Sequence, residues 1–431
     1  MKKAAAAFLA ALLMLCVSGC GINMFENADI MRPPGVTGSN AGIRECIEGS
    51  AGTDYILKYP AHGDFRSAVI TRDLNSDGTD ECIVFCKPDS SDNIKVMIMS
   101  VHDDVWQTDA DFEERFAQID CVNFCDLNGD GTEDPIVGWG GFNSQPDRIA
   151  AYVNIDGEYK QLGIDSSYDS MYCGNFTDNN LESVILLSLS GTDSRAKASL
   201  VTMNDQRSDL KLASSVEMND DVAAFDNISY GYINKNKYGL VIDGHMTGGK
   251  YIAQVLCCEG KSTIEAVYTQ KNDFPIRCCD INRDGIIEIP AVSKLKAEEG
   301  TEPPDDVCFV VWNDINVERK TLNPKDYAVF CSGEGWLYRV GENFKDNNTV
   351  ALEKDGGYGF YKWNSEAYVP KKDSLLFTIK CFDEAKGKYQ PDDGSYEEIV
   401  RDSNIVYAAK TEAQSDIDIE QIKSNFILPM L

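Results

Sequence analysis

Three stretches of this chain carry one loop in one register: DLNSDGTDE from Asp73, DLNGDGTED from Asp126 and DINRDGIIE from Asp280. Each places Asp, Asn and Asp at positions 1, 3 and 5, Gly at 6 and an acid at 9. Glycine at position 6 lets the backbone take a positive φ without a Cβ clash. So many side-chain oxygens on one tight turn suit a hard divalent cation, and the carbonyl of position 7 adds another donor. The ligand sets read this way are Asp73, Asn75, Asp77 and Glu81; Asp126, Asn128, Asp130 and Asp134; and Asp280, Asn282, Asp284 and Glu288. Thr79, Thr132 and Ile286 contribute only backbone carbonyls. The expected ion is calcium, in a structural role, at up to three sites.

The EF-hand is the rival reading, and it fails at position 12. A bidentate Glu belongs there, but this chain has Val84, Val137 and Ala291. The residues after each loop, CIVFC, PIVGW and IPAV, are short and rich in β-branched side chains, which predicts strands rather than a helix. Apolar runs also precede the loops, as SAVITR, IDCVNFC and PIRCC. Each loop therefore joins two strands, and the pattern is an all-β repeat.

Anchored on position 1, the repeat falls at Asp73, Asp126, Gly174, Tyr232 and Asp280, with spacings of 53, 48, 58 and 48 residues. A blade of four short strands needs about that length. Gly174 and Tyr232 replace the first Asp, so those two copies keep the strands and lose the cation. A D-x-[DN]-x-D-G-x-x-[DE] loop recurring between strands resembles the FG-GAP or VCBS repeats of integrin α-subunit propellers. The chain resembles the VCBS-repeat lipoproteins of clostridia-like bacteria, over Arg66 to Glu288. The resemblance implies a β-propeller-like array of four-stranded blades with calcium at the loops, and no established activity. The array is expected to span 45–370 with about six or seven blades. A small α+β unit is expected at 371–431, with a helix over Ile417–Phe426 capped at Ser415-Asp416.

The N-terminus has the form of an address. Lys2 and Lys3 precede an apolar run from Ala4 to Leu15 that is too short to span a bilayer, and Val17-Ser18-Gly19-Cys20 has the form of a lipobox. Residues 1–19 are expected to be a signal peptide, Cys20 the lipidated residue, and 20–44 a tether, placing the protein outside the cytoplasm on a membrane. Tyr55-Ile56-Leu57 is either a plain edge strand or the piece that closes a ring with a late strand.

The net charge of −30, or −32 once Lys2 and Lys3 are removed, argues against nucleic acid as a partner. Thirteen cysteines follow Cys20 without a C-x-x-C pair, and within strands they read as small buried hydrophobes. His62, His102 and His245 lie far apart in the sequence, and H-E-x-x-H, G-x-S-x-G and the phosphate-cradling loop are absent. The expectation is of no enzyme, but a binding or scaffold module for protein or polysaccharide at the cell surface. The alternatives are a glycan-active enzyme and a purely structural surface protein. Trp336, Tyr338, Tyr358, Phe360, Tyr361, Trp363 and Tyr368, with Trp139 and Phe142, are each core-filling residues or, if exposed together, a stacking platform.

Overall fold

The computed structural model describes residues 39–428 apart from 141–147, 178–180, 192–194, 220, 261, 298–302, 364–374, 387–395 and 414. The expected leader, Cys20 and the tether as far as residue 38 lie outside the described residues, as do Phe142 and Tyr368. The chain is all-β, in six antiparallel sheets of four or five strands. It divides into two compact units. One contains residues 39–57, 69–72 and 79–114, and the other 58–68, 73–78 and 115–431.

The first unit is one sheet and one helix. Strands β1 (Tyr55–Leu57) and β2 (Val69–Arg72) both pair with β3 (Glu81–Pro88), followed by β4 (Ile94–His102) and β5 (Val105–Glu114). β2 takes the Glu81–Val84 part of β3 and β1 takes Cys86–Pro88, so the two lie end to end along one edge. Tyr55–Leu57 is thus an edge strand of its own sheet. The helix Ser39–Ala51 corrects the tether reading, which runs to residue 44. Ile43, Ile47 and Ala51 repeat every four residues and bury against Cys82, Val84, Cys86, Met97 and Met99. Gly42 and Gly49 weaken helical propensity and hide that period. Gly42 is required where it stands, because a Cβ there would meet Trp106 Cδ1 at 2.7 Å.

In the second unit, strands pair in chain order. The first sheet has β6 (Gln118–Cys125), β7 (Asp134–Gly140), β8 (Arg148–Ile155) and β9 (Glu158–Asp165). The next has β10 (Ser170–Gly174), β11 (Ser183–Ser188), β12 (Lys197–Met203) and β13 (Leu210–Glu217). Then come β14 (Val222–Asn234), β15 (Lys237–Met246), β16 (Tyr251–Glu259) and β17 (Thr263–Asn272). A fourth begins with β18 (Ile289–Ser293), β19 (Val307–Asn316), β20 (Thr321–Cys331) and β21 (Trp336–Arg339).

Side-chain alternation shows how these sheets pack. On β11, Val184 and Leu186 face a core shared with Ile136 and Ile149 of the preceding sheet. Ile185 and Leu187 face the other way, against Leu240 and Ile242 of the following one. Val241, between those two on β15, turns to Ile289 and Ile315. Both faces of each inner strand are buried, which is why they read as unbroken apolar runs; each such side chain is worth about 1.5–3 kcal/mol. The last strand of a sheet, as in β9 and β13, alternates partly buried and exposed residues.

The C-terminal residues do not form a separate unit at 371–431. β22 (Asn348–Leu352) and β23 (Tyr358–Lys362) are completed by β24 (Leu375–Asp383), β25 (Glu397–Asp402) and β26 (Ile405–Thr411), in the order β22-β23-β24-β26-β25. Hydrogen bonding therefore crosses the expected boundary. The helix is Ile419–Asn425, with Asp418 rather than Ser415-Asp416 as its cap: Asp418 and Gln421 form a reciprocal capping box. The next residues, β27 (Phe426–Ile427), pair with Leu337 and Tyr338 of β21.

Apart from Trp363, which is half-buried, the described members of the aromatic cluster resolve into core. Trp336, Tyr338, Tyr358, Phe360 and Tyr361 are all buried, and Trp139 is fully so. Phe426 packs its ring 6.2 Å from Trp336 and 5.3 Å from Tyr407. Replacing this partly buried ring, Phe426→Ala, is expected to cost about 2 kcal/mol, and Phe426→Leu less. The change is read as a fall in the urea midpoint followed by tryptophan fluorescence.

Candidate metal centre

The three loops share one hydrogen-bonding scheme. The position-1 carboxylate accepts the backbone N–H groups of positions 5 and 6. Asp73 takes Asp77 and Gly78 at 3.1 and 3.0 Å; Asp126 takes Asp130 and Gly131 at 3.1 and 2.9 Å. Asp280 takes Asp284 and Gly285 at 3.0 and 2.9 Å. The position-3 amide oxygen accepts the position-5 N–H as well, at 2.8 Å from both Asn75 and Asn282 and 2.9 Å from Asn128. Asp and Asn are demanded here because only a short side chain reaches its own backbone two to five residues on.

Position 9 closes the loop at its base. The N–H of Leu127 donates to Asp134 at 3.0 Å, and that of Ile281 to Glu288 at 3.0 Å. Both acids are buried at the start of the run that follows. Burial pushes Asp134 up to about 8, with Asp130 and Asp126 adding to the shift and the Leu127 N–H opposing it. Burial likewise pushes Glu288 up to about 7, helped by Asp284, Asp280 and Asp314. In the first loop, Asp73, Asn75 and Asp77 lie in the second unit while Thr79 and Glu81 lie in the first.

The loops differ in how closely their acids converge. In the third, carboxylate oxygens of Asp280, Asp284 and Glu288 lie within 4.8 Å of one another, and no other such trio of His, Cys, Asp or Glu is found among the described residues. The second loop holds its position-5 acid differently. Asp130 Oδ1 accepts both the N–H and the hydroxyl of Thr132, at 2.8 and 2.5 Å, and Oδ2 accepts Asn128 Nδ2 at 2.8 Å. The third loop has Ile286 at that place, whose N–H alone donates to Asp284, at 3.0 Å, while Asn282 Nδ2 turns to Glu288 at 2.5 Å.

The third loop's donors fit a hard cation. Three carboxylates and the Asn282 amide oxygen are all oxygen ligands, and like charges gathered this closely are relieved by a divalent ion. Burial pushes the adjacent Cys279 thiol up to about 12. Sequence spacing offered no sign of Asp314 and Lys325, which adjoin this centre. Asp314 is 6% exposed; one of its oxygens meets Lys325 Nζ at 2.7 Å, and the other is buried without a hydrogen-bond partner among the described residues. Only the fold brings β19 and β20 beside the loop.

In the two copies that lack the first Asp, the anchor residue lies in a strand. Gly174 ends β10, and Tyr232 lies inside β14, whose hairpin to β15 turns over Lys235-Asn236. Tyr232 is 40% exposed and stands with Tyr230 and Tyr238, its ring centroid 3.9 Å from that of Tyr238. The thirteen described cysteines are free. Burial pushes the Cys82, Cys121 and Cys331 thiols up to about 12, which leaves them unreactive at neutral pH.

No protein-family model and no curated protein matches the chain. Among solved structures it is similar to a Bacillus licheniformis rhamnogalacturonan lyase, at 9% identity and a TM-score of 0.30, over 83% of this chain and 90% of that one. It is similar to Saccharomyces cerevisiae Sqt1 at 8% and 0.31, over 80% and 97%. A third is an exo-β-1,3-galactanase from Phanerochaete chrysosporium, at 9% and 0.26, over 76% and 81%. These findings correct the expectation that the chain is no enzyme, since enzymes stand among the structures it is similar to. Likeness at this level carries no activity from them to this chain.

Loop geometry yields a direct test. Gly78, Gly131 and Gly285 have φ of 90°, 87° and 84°, and an added Cβ would meet nothing within 4 Å at any of them. Gly285→Ala and Gly131→Ala should therefore cost about 1–2 kcal/mol each from backbone conformation alone. Position 4 is also left-handed, at 60° for Ser76 and 66° for Arg283. Arg283→Gly should consequently be neutral or stabilising by up to about 1 kcal/mol. Chemical denaturation of the three variants checks the contrast.

Proposed function

We propose that this chain is an extracytoplasmic β-propeller of the FG-GAP or VCBS repeat kind. In this reading it has six or seven blades, calcium in up to three of its loops, and lipid on Cys20 as its membrane anchor. It acts there as a binding or scaffold module for protein or glycan. The observation that carries the reading is the third loop. Backbone N–H groups orient Asp280, Asp284 and Glu288 toward one point, and Glu288 is buried with 0% exposure. Such an arrangement of acids is costly alone and favourable around an ion. The shared scheme at Asp73 and Asp126 extends the reading to the other loops. No described helix is long and apolar enough to cross a membrane, and in this reading the anchor is lipid.

Calcium at tenfold over its dissociation constant adds about 1.4 kcal/mol per site through mass action. A thermal melt should therefore rise with millimolar calcium and fall with chelator. Asp280→Ala should remove most of the rise and Asp126→Ala a smaller part, because the second loop's acids are already held by Thr132 and Asn128. Magnesium should be the poorer ligand, since it demands stricter octahedral geometry. A melt that ignores calcium in every sample would falsify the metal reading.

A further inference from the structure

Each of the three histidines is paired with an aspartate: His62 with Asp120 at 2.7 Å, His102 with Asp109 at 3.0 Å and His245 with Asp226 at 2.6 Å. The last pair differs in its surroundings. It lines a cavity of about 290 Å³ together with Asp243, Tyr251, Arg277 and Phe330.

The fold builds this pair deliberately. β14 and β15 slip register between Phe225 and Asn227, so Asp226 is the extra residue of a β-bulge. A bulge re-aims a side chain that a regular ladder would point away. Here it delivers the Asp226 carboxylate to His245 Nδ1. A carboxylate accepts hydrogen bonds, so Nδ1 donates to Asp226 and Nε2 takes no part in the pair. His245 lies opposite Tyr251 across β15 and β16, with ring centroids 4.9 Å apart. Asp243, two residues before His245, is 5% exposed and is held by the Cys278 N–H at 3.1 Å. Arg277 is exposed at the rim, and its charge acts on the Asp243 carboxylate.

These groups define a ligand by exclusion. Two carboxylates on the wall, on a chain of net charge −30, disfavour an anion. The Arg277 guanidinium offsets Asp243, and His245 holds Asp226, so the wall offers no free carboxylate to draw in a cation. What remains is a neutral molecule that hydrogen-bonds to His245 Nε2, donates to Asp226 and accepts from Arg277, which is the capacity of vicinal hydroxyl groups. Tyr251 and Pro275 supply the apolar wall. The volume stands at the lower end of ligand pockets, about 300–1,000 Å³, so it takes one ring rather than a chain.

We propose that Asp226, His245, Tyr251 and Arg277 form a binding site for a single neutral sugar ring. It rests on the binding-module reading and names a ligand class and a place for it. With three histidines in the chain, the imidazole Cε1–H resonances are resolvable by NMR, and His245→Gln assigns the relevant one. The full chain is titrated with D-glucose, D-galactose, D-mannose and L-rhamnose, with D-glucuronate as the anionic counterpart. A saturable shift of the His245 resonance is expected with at least one neutral sugar, at a roughly millimolar Kd. Tyr251→Ala and Asp226→Asn should each weaken it about tenfold. Arg277→Gln should do the same, and because Arg277 is exposed that variant keeps the test decisive if the others fold poorly. No shift with any neutral sugar, or tighter binding of glucuronate, overturns the proposal. Sugar binding that leaves the His245 resonance unmoved overturns this site and leaves the binding-module reading standing.

Discussion

Everything in the second unit depends on strands that have no polar face. Val184, Ile185, Leu186 and Leu187 on β11 are all buried, and alternate residues point to different neighbouring sheets. A sheet built on such strands is unstable alone, because either face left in water would forfeit its hydrophobic contribution. Each must sit between two others, and the chain supplies them in sequence order. Charge is thereby concentrated in loops and on the last strand of a sheet, as in β9 and β13. The acidic loops lie outside the inner strands, after β2, after β6 and just before β18, where carboxylates keep access to water or to an ion. Before the third loop the expected strand PIRCC is reduced to a single bridge, Cys279 with Glu288.

Loops and inner strands were legible because each is a local matter. An Asx turn is decided by residues within five of one another, and a run such as CIVFC or PIVGW declares its burial in its own composition. The five repeat anchors accordingly fall at the start of five of the six sheets. The helix Ser39–Ala51 was obscured by its two glycines, although Ile43, Ile47 and Ala51 carry a helical spacing. The boundary at 370 failed for a different reason. Pairing of β23 with β24 is a contact between segments separated by a long connection, and the sequence holds no sign of which strand continues which sheet.

The candidate centres were legible to unequal degrees. All of the ligand positions in the third loop could be read, yet the side chain that distinguishes it from the second is at position 7. Thr132 offers a hydroxyl that occupies Asp130, and Ile286 offers none. A reading that credits position 7 only with its carbonyl misses that difference. The histidine–aspartate pairs were invisible, since Asp226 reaches His245 through a bulge and Asp120 reaches His62 across fifty-eight residues. Aromatic residues misled in the other direction: a cluster dense in sequence around Trp336 and Phe360 is dense because it fills a core.

The pairing of β27 with β21 has a temporal consequence. β21 is made before the whole of the following sheet, and its outer edge is covered only when Phe426 and Ile427 arrive. Until then a growing chain leaves the backbone groups of Leu337 and Tyr338 on that edge unpaired by β27. An open edge of this kind is a template for pairing with another chain. A product cut short before Phe426 would carry that exposed edge permanently.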